Sequence, residues 1–340
     1  MKNILYFVHK VIFKRGNLLF FFFLVTCFFS RLNSQFYLID IIGQLGFQII
    51  IGGILLFLIL IILKRLWASM ICVLICVLLT IDILFSCNQC NAFLEDKSQN
   101  YNKIRLMTFN TGLSNDFKNI RELILFEKPD IIQFQEVSPQ MQNKLKSLKS
   151  LFPHNTGLDK PLEYFSSVVL SKYPLQDTRV VDNYTVLTKV ILDETELTII
   201  AIHLSAPLNQ LLLNLYVDLY FKYSNTTKPQ SFPLVSLDLA IKQMDYLKTL
   251  VDNTNQNLIL MGDLNMTTTS KRFTNFLKDT NLYTYASYKY PTFTWPAFIS
   301  SYLGIQIDHV LFSENFKMIR KKTTNHFGSD HRALIVDLAF

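Results

Sequence analysis

Nine polar residues stand at the ends of apolar runs in the last two thirds of the chain: Asn110, Glu136, His203, Asp263, Asn265, Asp308, His309, Asp330 and His331. Carboxylates and imidazoles carry proton transfer, and oxygen donors bind hard cations. Taken singly, each residue has a bland explanation. Asn110 can be a turn former beside Gly112, Glu136 an exposed strand terminus, and Asp263 a turn residue after Gly262. A lone histidine at a strand end is more often a hydrogen-bonded structural residue than a catalyst. Together they form a different pattern, because charged groups recurring at the edges of buried strands oppose folding unless something satisfies them. One shared site is the simplest explanation.

The elements that must position these groups are legible as apolar runs of high β preference. Leu258–Met261 delivers Asp263 and Asn265, Ile307–Phe312 carries Asp308 and His309, and Ala333–Leu338 follows Asp330 and His331. Upstream, KIRLMTFNTG ends on Asn110 and KPDIIQFQEVS ends on Glu136. A further strand is predicted over Ser166–Leu170, and a hairpin over Thr185–Ile202 with Asp193 and Glu194 at its turn; the run LTIIAIHLSAP then ends on His203. Helices are expected over Asp116–Phe126 and Asp238–Val251. Strands alternating with a few helices predict an α/β layered sandwich of about 240 residues. Successive strand residues face opposite sides, so His309 points away from the face of Asp308 and reads as structural.

The stretches TFNTG, DIIQFQEV, VVLSKYPL, IHLSAP, GDLNMTT, IDHVLF and GSDHRALIVDL, in this order, resemble the endonuclease/exonuclease/phosphatase superfamily. The likeness covers essentially all of Lys103–Phe340, and seven motifs in register are far more specific than a single GDLN or SDH. It implies a DNase I-like fold, with two packed mixed sheets flanked by helices, and a metal-dependent phosphoric ester hydrolase using Mg²⁺ or Mn²⁺. The Thr294-Trp295-Pro296 run, together with several N-terminal spans, resembles the membrane-anchored bacterial branch of that family, with Trp295 a candidate for substrate binding.

The resemblance also implies roles. Glu136 would be the primary metal ligand, Asn110 would support the metal or the phosphate, and Asp330 is placed as a further metal ligand. Asp263 would orient or deprotonate the attacking water, and Asn265 would hydrogen-bond a non-bridging phosphoryl oxygen. His331 would face the scissile phosphate with an aspartate on its other ring nitrogen. That partner looks like Asp308, and the division of labour between Asp308 and Asp330 stays open. His203 resembles the second catalytic histidine, a general acid or phosphate ligand. Two departures stand out: Ser166 and Ser167 occupy a place where members often carry glycine, and Glu163 is the nearest candidate to orient His203 in a context that does not match.

Half of the 340 residues are hydrophobic, and the excess lies in residues 1–90. Ile41–Leu63 is 23 residues without a charge, Leu66–Phe85 is 20 residues with Asp82 alone, and Asn17–Ser30 is a shorter apolar block. We read about three transmembrane helices (17–30, 41–63 and 66–85), a linker over 91–101 and a catalytic domain over 102–340. Residues 1–90 hold 7 Lys and Arg and two acidic residues, Asp40 and Asp82; the rest of the chain holds 26 basic and 24 acidic residues. The basic excess is therefore a topology signal. Lys2, Lys10, Lys14 and Arg15 precede the first span, and Lys64 and Arg65 fill the turn between the second and third. The positive-inside rule places both cytoplasmic, and the domain after Phe85 outside the cytoplasmic membrane. All five cysteines lie in the first 90 residues, which excludes thiol catalysis by the domain. Cys87 and Cys90 read most simply as two ordinary juxtamembrane residues; with no second ligand pair near, a metal site there is less expected than a local disulfide.

Three functions compete for this pattern. A membrane-anchored hydrolase acting on a phospholipid headgroup or another lipid-linked phosphate fits the spans, the near-neutral domain and the apolar insertion Leu208–Phe232. That insertion reads as a satellite core helix or, alternatively, as a membrane-facing lid. A tethered nuclease would need Lys and Arg clustered against phosphates, and the one cluster, Arg320, Lys321 and Lys322, reads as a solvated turn. A catalytically dead binding module would have lost central residues, and all are present.

Overall fold

The computed structural model describes the chain except residues 1, 33–36, 92–100, 113, 115, 160–165, 183, 193–194, 207–236, 255–256, 287–291 and 299–303. The insertion over 208–232, Glu163 and most of the expected linker lie outside the described residues. Two compact units emerge: Met1–Asn88 with Thr267–Asn275, and Gln89–Met266 with Phe276–Phe340.

The first unit contains helices α1 (Lys2–Ser30), α2 (Tyr37–Gln44), α3 (Gly46–Ile62) and α4 (Leu66–Phe85). Among the described residues, α4 alone has the length and apolarity to cross a membrane; α3 and the Gly16–Ser30 part of α1 are shorter apolar helices. The uncharged run 41–63 is not one continuous helix, because a turn at Leu45 divides it into α2 and α3. Packing explains the small residue that follows, since a Cβ on Gly46 would stand 2.8 Å from the Thr269 Cβ. The opposite faces of α3 and α4 stay apolar and exposed, with Ile54, Leu55, Leu58, Met70, Leu74 and Leu78 all uncovered. Cys87 and Cys90 are disulfide-bonded, and Cys27, Cys72 and Cys76 are buried free thiols.

In the second unit β1 (Lys103–Asn110) leads through α5 (Phe117–Glu127) to β2 (Ile131–Val137), α6 (Pro139–Leu145), β3 (His154–Asn155) and β4 (Ser166–Ser171). Strands β5 (Leu175–Asp182), β6 (Thr185–Leu192) and β7 (Thr195–His203) follow, then α7 (Leu237–Asp252), β8 (Leu258–Asp263), α8 (Lys271–Thr280), β9 (Asp308–Phe312), β10 (Lys317–Thr323) and β11 (Leu334–Ala339). They build a six-stranded sheet, ordered β10-β11-β1-β2-β4-β3, and a five-stranded sheet, ordered β5-β6-β7-β8-β9. Both sheets are mixed: β1–β2 and β7–β8 pair parallel, while β1–β11 and β8–β9 pair antiparallel. Period-two alternation explains the layering. Ile104 and Leu106 of β1 join Ile199, Ala201, Ile259 and Val310 in one core cluster. Met107 and Phe109, on the other face of β1, pack with Ile120 and Ile124 of α5 and Met141 of α6.

The basic triplet departs from the expectation. The triplet Arg320, Lys321 and Lys322 is not a solvated turn but part of edge strand β10, whose cations hid its strand character. The Lys321 ammonium donates to the Tyr285 carbonyl (2.7 Å) and to Gln306 Oε1 (2.8 Å), and Lys322 pairs with Glu127. Gly262 is required by close approach as well as by conformation. With φ of +143°, a Cβ there would lie 1.8 Å from the Ile202 carbonyl oxygen and 2.9 Å from Gln133 Nε2. Gln133 reaches across to donate to that same carbonyl at 3.0 Å.

Candidate active site

Parallel pairing brings the ends of β1, β2, β7 and β8 to one edge. In register, Asn110 faces Gln135, His203 faces Asp263, and Asp263 faces Asp308 at the start of antiparallel β9. Glu136 is aimed by backbone strain. The β2–β4 register shifts between Phe134 and Val137, and Glu136 takes φ of +53°, a conformation non-glycine residues rarely adopt. Thr111 pins this bulge, its hydroxyl meeting the Gln135 and Glu136 carbonyls at 3.0 and 2.8 Å.

The side chains converge. The Asn110 amide nitrogen donates to Glu136 Oε1 at 3.0 Å and Asp263 Oδ2 at 3.1 Å, while its oxygen accepts the Gly112 N–H at 3.0 Å. Asn110 thus holds two carboxylates in place. His203 Nε2 lies 3.5 Å from Glu136 Oε1 and 3.8 Å from Asp263 Oδ2, and its buried Nδ1 has no hydrogen-bond partner among the described residues. His331 Nδ1 meets Asp308 Oδ2 at 2.9 Å, leaving Nε2 3.7 Å from Asp263 Oδ2. Asp330 is exposed, and one of its oxygens, Oδ2, accepts the half-buried Trp295 indole N–H at 3.0 Å. The Asn265 backbone N–H donates to Asp263 Oδ1 (2.8 Å) and its side chain to the Leu204 carbonyl (2.7 Å), with φ of +49°.

Burial sets the charge states. It pulls the His203 pKa down to about 4, with the nearby His331 charge adding to the effect. It opposes a charged His331, but the Asp308 carboxylate and its hydrogen bond outweigh it and push that pKa up to about 10. Burial, and then the Asp308 charge, push Asp263 up to about 8. Glu136 is raised by burial and by the charges of Asp330 and Asp308, against the Asn110 hydrogen bond and the His331 charge.

Four carboxylates thus crowd the edge, and among the described residues Glu136, Asp263 and Asp308 find ion pairs only with His203 and His331. Asp308 Oδ1 is buried without a hydrogen-bond partner among them. Raised carboxyl pKa values with too few cations are what a divalent ion would relieve. Glu136 and Asp330 supply oxygen donors suited to a hard cation. Asp263, Asp308 and His331 form a second group whose ligand atoms lie within 4.8 Å of one another, though there the short Asp308–His331 bond already engages two of the three.

The supports of the site carry no signal of their own in the sequence. Ser329 donates to the Asn110 carbonyl at 2.7 Å and accepts the His331 N–H at 3.0 Å, and Thr294 Oγ1 accepts the N–H groups of Ile307 and Asp308 at 3.1 and 3.2 Å. Their places inside the SDH and TWP motifs are the one hint that could have found them.

His309 faces away from this cluster. Its Nε2 lies 2.7 Å from the Met266 carbonyl and its Nδ1 3.3 Å from the Gln306 side-chain nitrogen. A carbonyl needs a donor at Nε2 and an amide N–H needs an acceptor at Nδ1, so the ring must be neutral. Burial also drives its pKa down, to about 3. The unfolded ring binds a proton near pH 6.5 and the folded ring does not, so stability falls as pH drops from about 6.5 toward 3. Between pH 7 and 5 the wild type should lose about 2 kcal/mol relative to His309→Gln, measured by denaturant unfolding. Parallel pH dependence in the two proteins would contradict the neutral-ring assignment.

Two mixed sheets with carboxylates, carboxamides and imidazoles gathered at one edge make a layered α/β protein with the groups of a hydrolytic site. The sequence model of the endonuclease/exonuclease/phosphatase family matches residues 107–331, and the chain belongs to that family. No curated protein matches it significantly in sequence. Among solved structures, a humanized D. rerio TDP2 carrying 14 mutations shares 12% identity at TM-score 0.49, over 70% of this chain and 99% of its own. Sphingomyelinase C of Streptomyces griseocarneus shares 15% at TM-score 0.47, over 69% and 99%. An endonuclease/exonuclease/phosphatase of Beutenbergia cavernae shares 19% at TM-score 0.46, over 70% and 72%.

Proposed function

We propose that the chain is a membrane-anchored, Mg²⁺- or Mn²⁺-dependent phosphoric ester hydrolase acting outside the cytoplasmic membrane on a lipid-linked or membrane-proximal phosphate. The observation that carries it is the convergence of Glu136, Asn110, His203, Asp263, Asp308 and His331 with more negative charge than they neutralise. A divalent ion held by Glu136 and Asp330 would neutralise charge on the phosphoryl oxygens. Asp308 holds the proton on His331 Nδ1 and keeps the ring charged near neutral pH, so Nε2–H can donate to a phosphoryl or leaving-group oxygen. Asp263, fixed through Oδ1 by the Asn265 N–H, turns Oδ2 toward the site, and its raised pKa suits it to take a proton from water. His203, neutral and beside Glu136, is available to hold the water or phosphate.

The membrane part of the proposal is supported by α4 and by the exposed apolar faces of α3 and α4. Lys64 and Arg65 between them favour a cytoplasmic turn, and the bonded Cys87 and Cys90 suit an oxidising compartment. The test uses the purified full chain in detergent with Mg²⁺ or Mn²⁺ and three substrates: a phosphodiester phospholipid, a lipid pyrophosphate and plasmid DNA. A lipid substrate should turn over, and chelation should stop it. Turnover of DNA alone would replace the lipid reading with a tethered nuclease, and turnover of nothing under either metal would end the enzymatic one. In membrane vesicles, an impermeant phosphodiester should be cleaved by right-side-out preparations; cleavage by inverted ones alone would reverse the topology.

A further inference from the structure

The first unit contains a segment from far along the chain, Thr267–Asn275. Its contacts single out two residues. Asp40 and Asp82 are the only acidic residues among the first 90, and each pairs with a cation of this segment: Asp40 with Arg272, and Asp82 with Lys271 at 3.4 Å. The Asp40 and Arg272 side chains are 5% and 11% exposed. Arg31 adds a second cation to Asp82 and donates from Nη1 to the Thr269 carbonyl at 3.1 Å.

Backbone satisfaction completes the seat. Helix α2 ends at Gln44, and the last carbonyls of a helix have no partner within it. Thr267 Oγ1 donates to the Gln44 carbonyl at 2.9 Å, and Thr269 Oγ1 lies 3.2 Å from the Gly43 carbonyl. The Gln44 side chain adds two bonds, accepting the Thr267 N–H at 3.1 Å and donating to Asp40 Oδ2 at 3.1 Å. A surface ion pair is worth little. A buried pair tied into helix-end hydrogen bonds fixes a position, because removing one partner strands the other charge.

We propose that Asp40 and Asp82 are positioning residues, which hold Thr267–Asn275 through Arg272 and Lys271 and thereby fix the turn carrying Asn265. Asn265 precedes Thr267 by two residues, and its N–H holds Asp263. The helices then serve catalysis as well as anchorage, and a fragment lacking residues 1–90 would lose the partners of this segment. The kinetic part rests on the catalytic reading above; the docking part does not.

The experiment uses the full chain in detergent, comparing wild type with Asp40→Asn, Arg272→Met and the double variant Asp40→Asn/Arg272→Met. Limited trypsin digestion reads docking, since trypsin cuts after Lys and Arg. Wild type should resist cutting after Arg272, and Asp40→Asn should be cut there at least about tenfold faster. Hydrolysis of bis-p-nitrophenyl phosphate with Mg²⁺ reads positioning. Each single variant should lose about tenfold in kcat with KM little changed. The double variant lacks the same tie, so it should stay about as slow as either single variant rather than lose the product of the two effects. Wild type cut after Arg272 as fast as the denatured chain would overturn the docking. Faster cutting of Asp40→Asn with kcat unchanged would overturn the link to Asn265. Protection as expected with no wild-type turnover would leave the docking standing and remove the catalytic reading.

Discussion

His331→Asn should slow phosphate-ester hydrolysis by roughly 10²–10⁴-fold while the chain stays folded. Asparagine keeps a hydrogen-bonding amide opposite Asp308, which is fully buried and would be left unpaired by alanine. What it removes is the charged ring whose Nε2 stands 3.7 Å from Asp263 Oδ2. The Asp308 carboxylate holds that ring protonated, with a pKa near 10, so its loss deletes both a proton donor and a positive charge facing the substrate. Steady-state kinetics with Mg²⁺ alongside a thermal melt checks the prediction. Activity within threefold of wild type, in a protein that melts normally, would sink the assignment of His331.

With Glu136 holding the proposed divalent ion, Glu136→Gln should act through that ion. Glutamine is nearly isosteric and keeps an oxygen that Asn110 Nδ2 can reach, now 3.0 Å from Glu136 Oε1, so the strained bulge at φ of +53° should persist. The negative charge disappears, and with it the donor best suited to a hard cation. Loss of such a ligand should cost about 10²-fold or more in kcat and move the Mg²⁺ titration to higher concentration. The same change should lighten the crowding of negative charge around Asp263. Turnover and metal dependence both unchanged would mean that the cation, if one is used, sits instead with Asp263, Asp308 and His331.

Much of this architecture is legible in the amino-acid sequence. Strand periodicity and the GDLN, IDHV and SDH runs are local signals, and β8, β9 and β11 stand where those signals place them. Strand β10 is hidden because Lys317, Arg320, Lys321 and Lys322 give an edge strand the composition of a solvated loop. The break between α2 and α3 is equally hidden. Hydropathy sums over a window, whereas the break reflects one turn at Leu45 and the packing of Gly46.

The sequence by itself determined the types of the candidate site residues, their places at strand ends and the family, because side-chain alternation and motif order are properties of neighbouring residues. Only the tertiary structure decided which groups meet. Asp308 takes His331 Nδ1 from 23 positions away, Asn110 reaches Asp263 across 153, and Arg272 finds Asp40 across 232. Such distances along the chain carry no local signal; sheet register, one bulge and the docking of one segment close them.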